Sequence, residues 1–175
     1  TVKRQLERSE KNFRNLIMQA PVGMTLLTGD DHVVELANDQ YLMLVGRERE
    51  GFEGKPIWEL IPEAKEQGFD KILQNVKDTG EAFFGNETPV MLVRNGKPET
   101  VYINFVYEPL VPEEGKVRSI LVVAIDVTKQ VEARKLVEIS EERARLAMES
   151  ASLGTYEINV KTLEVHASPR FNELF

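Results

Sequence analysis

The chain repeats itself, and the repeat limits what it can fold into. Ser9-Glu10 returns as Ser140-Glu141 and Gly23 returns as Gly154, both 131 residues further on. Before the first glycine, Val2, Leu6, Ser9, Phe13, Leu16 and Ala20 recur in alternating steps of four and three, a heptad-like helical seam. At the same offset the stripe falls on Ala133, Val137, Ser140, Ala144, Ala147 and Ala151, in smaller residues. Beyond Gly154, Tyr156 to Val160 and Glu164 to Ala167 follow the pattern of Gly23 to Leu27 and Val33 to Ala37, and Phe171 stands where Tyr41 stood, one residue early. One full copy and the opening of a second are therefore expected. Residues 1–20 form a helix able to enter a coiled coil, 21–128 the complete domain, 129–150 a connecting helix, and 151–175 the start of the next domain.

Between the two helices the periodicity changes. Gly23 to Leu27 and Val33 to Ala37 flank the turn cluster Thr28-Gly29-Asp30-Asp31 and read as a hairpin. Asn38 is placed to cap a short helix ending at Gly46. Glycines and prolines break residues 47 to 62 around one turn at Trp58 and Leu60. A longer helix is expected from 62 to Thr79, interrupted at Gly68 and stopped by Gly80. Ala82 to Val93 then leads to Asn95-Gly96, a strong hairpin signal. Val101 to Leu110 alternates, with Ile103, Phe105 and Tyr107 on one face and Tyr102, Asn104, Val106 and Glu108 on the other. A turn at Glu113-Glu114-Gly115-Lys116 connects to a strand from Val117 to Asp126. Two strands, short helices and three strands make an α+β fold, an antiparallel sheet with helices on one face.

Composition removes several functions. With no cysteine, disulfides, thiolate metal sites, cysteine nucleophiles and cysteinyl photochemistry are excluded, and a reducing cytoplasm is the expected setting. A net charge of −7 disfavours nucleic acid and anionic lipid as partners. Gly51-Phe52-Glu53-Gly54 mimics a nucleic-acid-binding loop, but its glutamate argues against that role. The apolar run Ile120 to Ile125 falls far short of a membrane span. The opening Thr1-Val2-Lys3-Arg4 is expected of a segment of a longer protein, whose membrane anchor, if it has one, would lie outside these residues.

The ordered set of motifs resembles the PAS sensor family. Gln19-Ala20-Pro21-Val22-Gly23 is similar to the family's entry segment, and Leu36-Ala37-Asn38 to its second strand running into its first short helix. Gly54-Lys55-Pro56-Ile57-Trp58-Glu59-Leu60-Ile61-Pro62-Glu63 resembles the segment framing the ligand pocket. Ile125-Asp126-Val127-Thr128-Lys129-Gln130 resembles the terminus that closes the last strand and starts a signalling helix. Leu153-Gly154-Thr155-Tyr156 and Ser168-Pro169-Arg170-Phe171 resemble the opening of another PAS domain. The resemblance implies a five-stranded antiparallel sheet around a small cavity, flanked by N- and C-terminal helices. It also implies a place in tandem-PAS sensor histidine kinases, beside further PAS and kinase domains.

Trp58, Phe69, Ile72, Leu73, Ile103, Phe105 and Tyr107 line a cavity for a small organic ligand or form plain core, with packed core or a pocket too small for a cofactor preferred. No haem is expected, because the 62–79 helix lacks the histidine that haem-binding relatives use. No flavin is expected either, because the cysteine motif of light-sensing relatives is missing. His32 and His166 lack metal-ligand spacing and read as structural or surface residues, so no metal site is expected. Glu63 and Glu66, near Lys65, read as a solvated helix face. Asn38 reads as a helix cap, which in the family also ties the helix to neighbouring backbone. Asp126 and Thr128 cap the outgoing helix and are the candidate signal relay. No nucleophile, base and orienting group converge, so no catalysis is expected of this chain. Self-association through the flanking helices is expected, the alternative being a seam folded back on the open face of its own sheet.

Overall fold

The computed structural model describes residues 2–110, 115–150, 156–169 and 172. The seam residues form α1, Val2–Gln19. The first hairpin is β1, Gly23–Thr28, and β2, Val33–Ala37, paired antiparallel with a bulge at Leu26/Leu27. Three helices follow in the irregular stretch: α2, Asp39–Val45; α3, Ile57–Leu60; and α4, Pro62–Glu66. They lead to α5, Phe69–Thr79, then β3, Phe83–Arg94, β4, Lys97–Leu110, and β5, Ser119–Asp126. The sheet order is β2-β1-β5-β4-β3, antiparallel throughout.

Alternation in β4 and β5 sorts the core. Val101, Ile103, Phe105 and Tyr107, with Ile120, Val122 and Ala124, join the main cluster beneath α2 to α5. On the opposite face Leu26 and Leu36 bury against Ile17 of α1. The seam points elsewhere. Val2, Leu6 and Leu16 are 83%, 59% and 71% exposed, and the residue that meets the open sheet face is Ile17, one position off the stripe. α1 thus holds the sheet with its last turn and leaves its heptad face bare.

The expected 62–79 helix is two helices. Gln67 closes α4, and Gly68, in a left-handed conformation at φ +92, separates it from α5. Gly46 closes α2 at φ +66, and a side chain there would sit 2.9 Å from the Arg94 Cα, so only glycine lets the β3–β4 hairpin come this close. The Glu113-Glu114 part of the expected turn, Leu153-Gly154-Thr155 and Phe171 lie outside the described residues.

By contact the chain divides into residues 1–129 and 130–175. α6, Thr128–Ser150, starts in the first unit. In the second, β6, Tyr156–Ile158, pairs antiparallel with β7, Val165–Ala167. Tyr156 faces Ala167 as Thr25 faces Ala37, so the spacing of the first hairpin recurs one residue shorter.

Candidate functional site

A cavity of about 50 Å³ lies between the sheet and the helices. Trp58, Phe69, Leu73, Ile103, Phe105 and Tyr107 line it, whereas Ile72 packs at the edge of the core without reaching it. Phe105 is the hub of an aromatic cluster, its ring centroid 5.5 Å from Phe69, 5.7 Å from Phe83 and 5.0 Å from Tyr107. Tyr41 and Leu44, from α2, are lining residues that the sequence did not single out. Tyr41 and Tyr107 bring the only hydroxyl groups among the lining residues. Burial pushes both phenols above their ordinary range, and the nearness of Tyr41 adds to the effect at Tyr107. Both are therefore neutral phenols at neutral pH. A water takes about 30 Å³ and drug-sized ligands need roughly 300 Å³ or more, so this volume suits a water or a ligand of a few atoms.

Two arginines brace the cavity wall. Arg47 follows α2 and donates to the carbonyls of Val45, Leu60 and Val93 and to Glu63 Oε1, the last at 2.7 Å. The same Glu63 oxygen accepts the Val93 N–H at 3.0 Å. Glu63 is buried, which corrects the solvated-face reading. Burial raises its carboxyl, but the Val93 amide and Arg47 outweigh that and hold it below the glutamate range. Next to this pair, Gln67 donates to the Met91 carbonyl and accepts its N–H, both at 2.8 Å. The outer edge of β3 is thereby tied off by side chains at Met91 and Val93.

The second arginine, Arg94, ends β3. It donates from Nε to the Leu44 carbonyl at 2.7 Å and from Nη2 to Asp126 Oδ2 at 2.9 Å. Asp126 Oδ1 accepts the Thr128 N–H and the Thr128 hydroxyl. That hydroxyl accepts from the Tyr102 amide at 2.9 Å, and the Val127 amide donates to the Tyr102 carbonyl at 2.8 Å. The Thr128 oxygen therefore bonds to β4 rather than capping its own helix. Burial raises the Asp126 carboxyl, yet bonds from Thr128 and the Arg94 charge bring it below the aspartate range.

Asn38 does more than cap. Its Oδ1 accepts the Tyr41 and Met24 amides, each at 2.9 Å, and its Nδ2 donates to the carbonyls of Ile17 at 2.9 Å and Val22 at 2.8 Å. One fully buried side chain joins α1, β1 and α2.

With this geometry in place, the family is decided by one match. The PAS-fold family matches residues 18–132, well over half of the chain. The chain belongs to the PAS family. Solved structures agree at the level of fold. The PAS domain of Bordetella pertussis BvgS is 24% identical with a TM-score of 0.57, covering 77% of this chain and 98% of that one. A PAS domain from Colwellia psychrerythraea is 13% identical with a TM-score of 0.54, covering 68% and 97%. An RNA-binding light-oxygen-voltage receptor is 18% identical with a TM-score of 0.59. That match covers 76% of this chain, which spans only 37% of the receptor.

A PAS domain is a sensory module and is not itself a catalyst. The two histidines of the chain differ in setting. His166 is exposed on β7, whereas His32 is buried in the β1–β2 turn, not on the surface. Among the described residues no three His, Asp or Glu side chains group to hold a metal, and no helix is long and apolar enough to cross a membrane.

Arg94 had no signal in the sequence, because its partners lie 50 and 32 residues away.

Proposed function

We propose that this PAS domain is a sensory and relay module of a cytoplasmic multi-domain signalling protein of the sensor histidine kinase type. Its neighbours in the chain are then further PAS and kinase domains. One observation carries the proposal: the unbroken path from Leu44 in the cavity wall through Arg94 and Asp126 to Thr128. A shift of α2 caused by a small ligand pulls on Arg94, and Arg94 pulls on the residues that start α6. The ligand is a neutral molecule of a few atoms, not haem or flavin. A stoichiometric visible absorption band surviving gel filtration would refute the last point.

The relay is tested by Asp126→Ala in the signalling protein. The output stops following the stimulus, while the isolated domain loses about 1–2 kcal/mol of stability and still folds. A normal stimulus response sinks the reading.

The bare face of α1 favours a second reading, a ligand-free dimerisation and spacing module in a kinase or a cyclic-dinucleotide signalling enzyme. Exposed Val2, Leu6, Phe13 and Leu16 supply the apolar stripe that a partner helix covers. Leu6→Asp with Phe13→Asp then turns a dimer into a monomer in sedimentation, and a monomeric wild type at high concentration contradicts it.

A further inference from the structure

His32 sits at the end of the β1–β2 turn with φ +52, the left-handed region, and is 6% exposed. Its Nε2 is buried with no hydrogen-bond partner among the described residues. A buried imidazole without a partner is tolerable when neutral and costly when charged. Its backbone is stitched to the segment beneath. The His32 carbonyl accepts the Ile57 N–H that opens α3, and the Val34 amide donates to Lys55.

The residue after Ile57 is Trp58, the single tryptophan of the chain. Trp58 lines the inner cavity and also an outer cleft that it shares with His32. Around that cleft stand Asp30 and Asp31 of the turn, Glu59 of α3, Lys65 of α4, and Asp70, Lys71 and Asp78 of α5. Lys77 of α5 is already engaged with Asp30 at 2.6 Å.

We infer that His32 is a proton-operated catch: neutral, it stays packed and anchors the start of α3, and protonated, it leaves for the carboxylates of the cleft and loosens the Trp58 wall. Burial depresses the imidazole and Lys77 depresses it further, against the upward pull of Asp30, Asp31 and Asp78. The folded value thus lies below the ordinary 6.5. The catch contributes its full stability above the unfolded value and loses it as pH falls through the folded one. It therefore responds to mild acid, independently of whether the relay to α6 operates.

The test uses the whole chain and its one tryptophan. Trp58 emission is followed from about pH 8 to about pH 5, with the two histidines resolved by their imidazole proton resonances. Emission is expected to shift to the red with a midpoint below 6.5, tracking His32 and not His166, while far-ultraviolet dichroism stays constant. His32→Gln is expected to abolish the shift. A flat wild-type emission, an unchanged shift in His32→Gln, or simultaneous loss of dichroism overturns the inference. Should His32→Gln fail to fold, a wild-type His32 midpoint at or above 6.5 overturns it equally.

Discussion

Arg47 and Arg94 do the same chemistry in different surroundings. Each donates to a carbonyl near the end of α2 and pairs with an acid on another element. Glu63, the partner of Arg47, has 8% of its side chain exposed, whereas Asp126, the partner of Arg94, has 34%. The two arginines are similarly covered, so the contrast lies in the acids, and a carboxylate shielded from water is costly to leave unpaired. A pair open to water can break and re-form at little cost. The sealed pair fixes the cavity wall to β3, and the open pair connects the same helix to the start of α6. Stability and adjustability are thus divided between two ion pairs whose arginines bond neighbouring carbonyls of α2, those of Val45 and Leu44.

The largest effect is expected from the sealed pair. Glu63→Ala strands Arg47 and the Val93 amide, and costs about 3 kcal/mol, at the low end for buried pairs because Arg47 keeps some solvent contact. Urea unfolding reads this directly. Arg47→Met combined with Glu63→Leu is expected to recover part of the loss. If Glu63→Ala costs no more than Arg94→Gln, the contrast between the two pairs is broken.

Asn38→Ala comes next, at about 2–3 kcal/mol, because four backbone groups, buried or part-buried, lose a partner rather than one helix losing its cap. A loss near 1 kcal/mol, the ordinary value of a cap, would mean the ties to α1 and β1 are idle. Arg94→Gln is expected to cost about 1 kcal/mol, with the fold intact and the Thr128 region altered in amide exchange.

The smallest effect is in acid. Both carboxyls sit below their ordinary values of 4.5 and 3.8, so both contribute stability above those values and lose it as pH falls through the folded ones. Glu63→Gln should flatten the acid limb of a stability-versus-pH curve more than Asp126→Asn. Equal flattening would put the two pairs on the same footing.

Much of this fold is legible in local sequence. β2 runs from Val33 to Ala37 and α2 ends at Gly46 as read, because strand alternation, an Asn cap and a glycine stop are all local signals. β4 begins at Lys97 instead of Val101, since the Asn-Gly turn sets a register that carries polar Lys97 to Thr100 into the ladder without any apolar pattern. The heptad seam was real as a pattern, yet Ile17, outside it, makes the contact with the sheet. Six of the seven proposed cavity residues meet at the cavity, because strand and helix periodicity report which side faces inward. The arginine links were invisible, because a contact between residues 16, 32 or 50 positions apart leaves no period to detect.

The path from α2 to α6 is tested most directly by the amide resonance of Thr128. Leu44→Ala enlarges the cavity wall where Arg94 is attached, and its effect on Thr128 is compared in the wild-type and Arg94→Gln backgrounds. Leu44→Ala is predicted to move the Thr128 resonance in the wild type and to leave it nearly still once Arg94 is replaced. A Thr128 shift of equal size in both backgrounds would show that the movement reaches α6 without Arg94 and contradict the account.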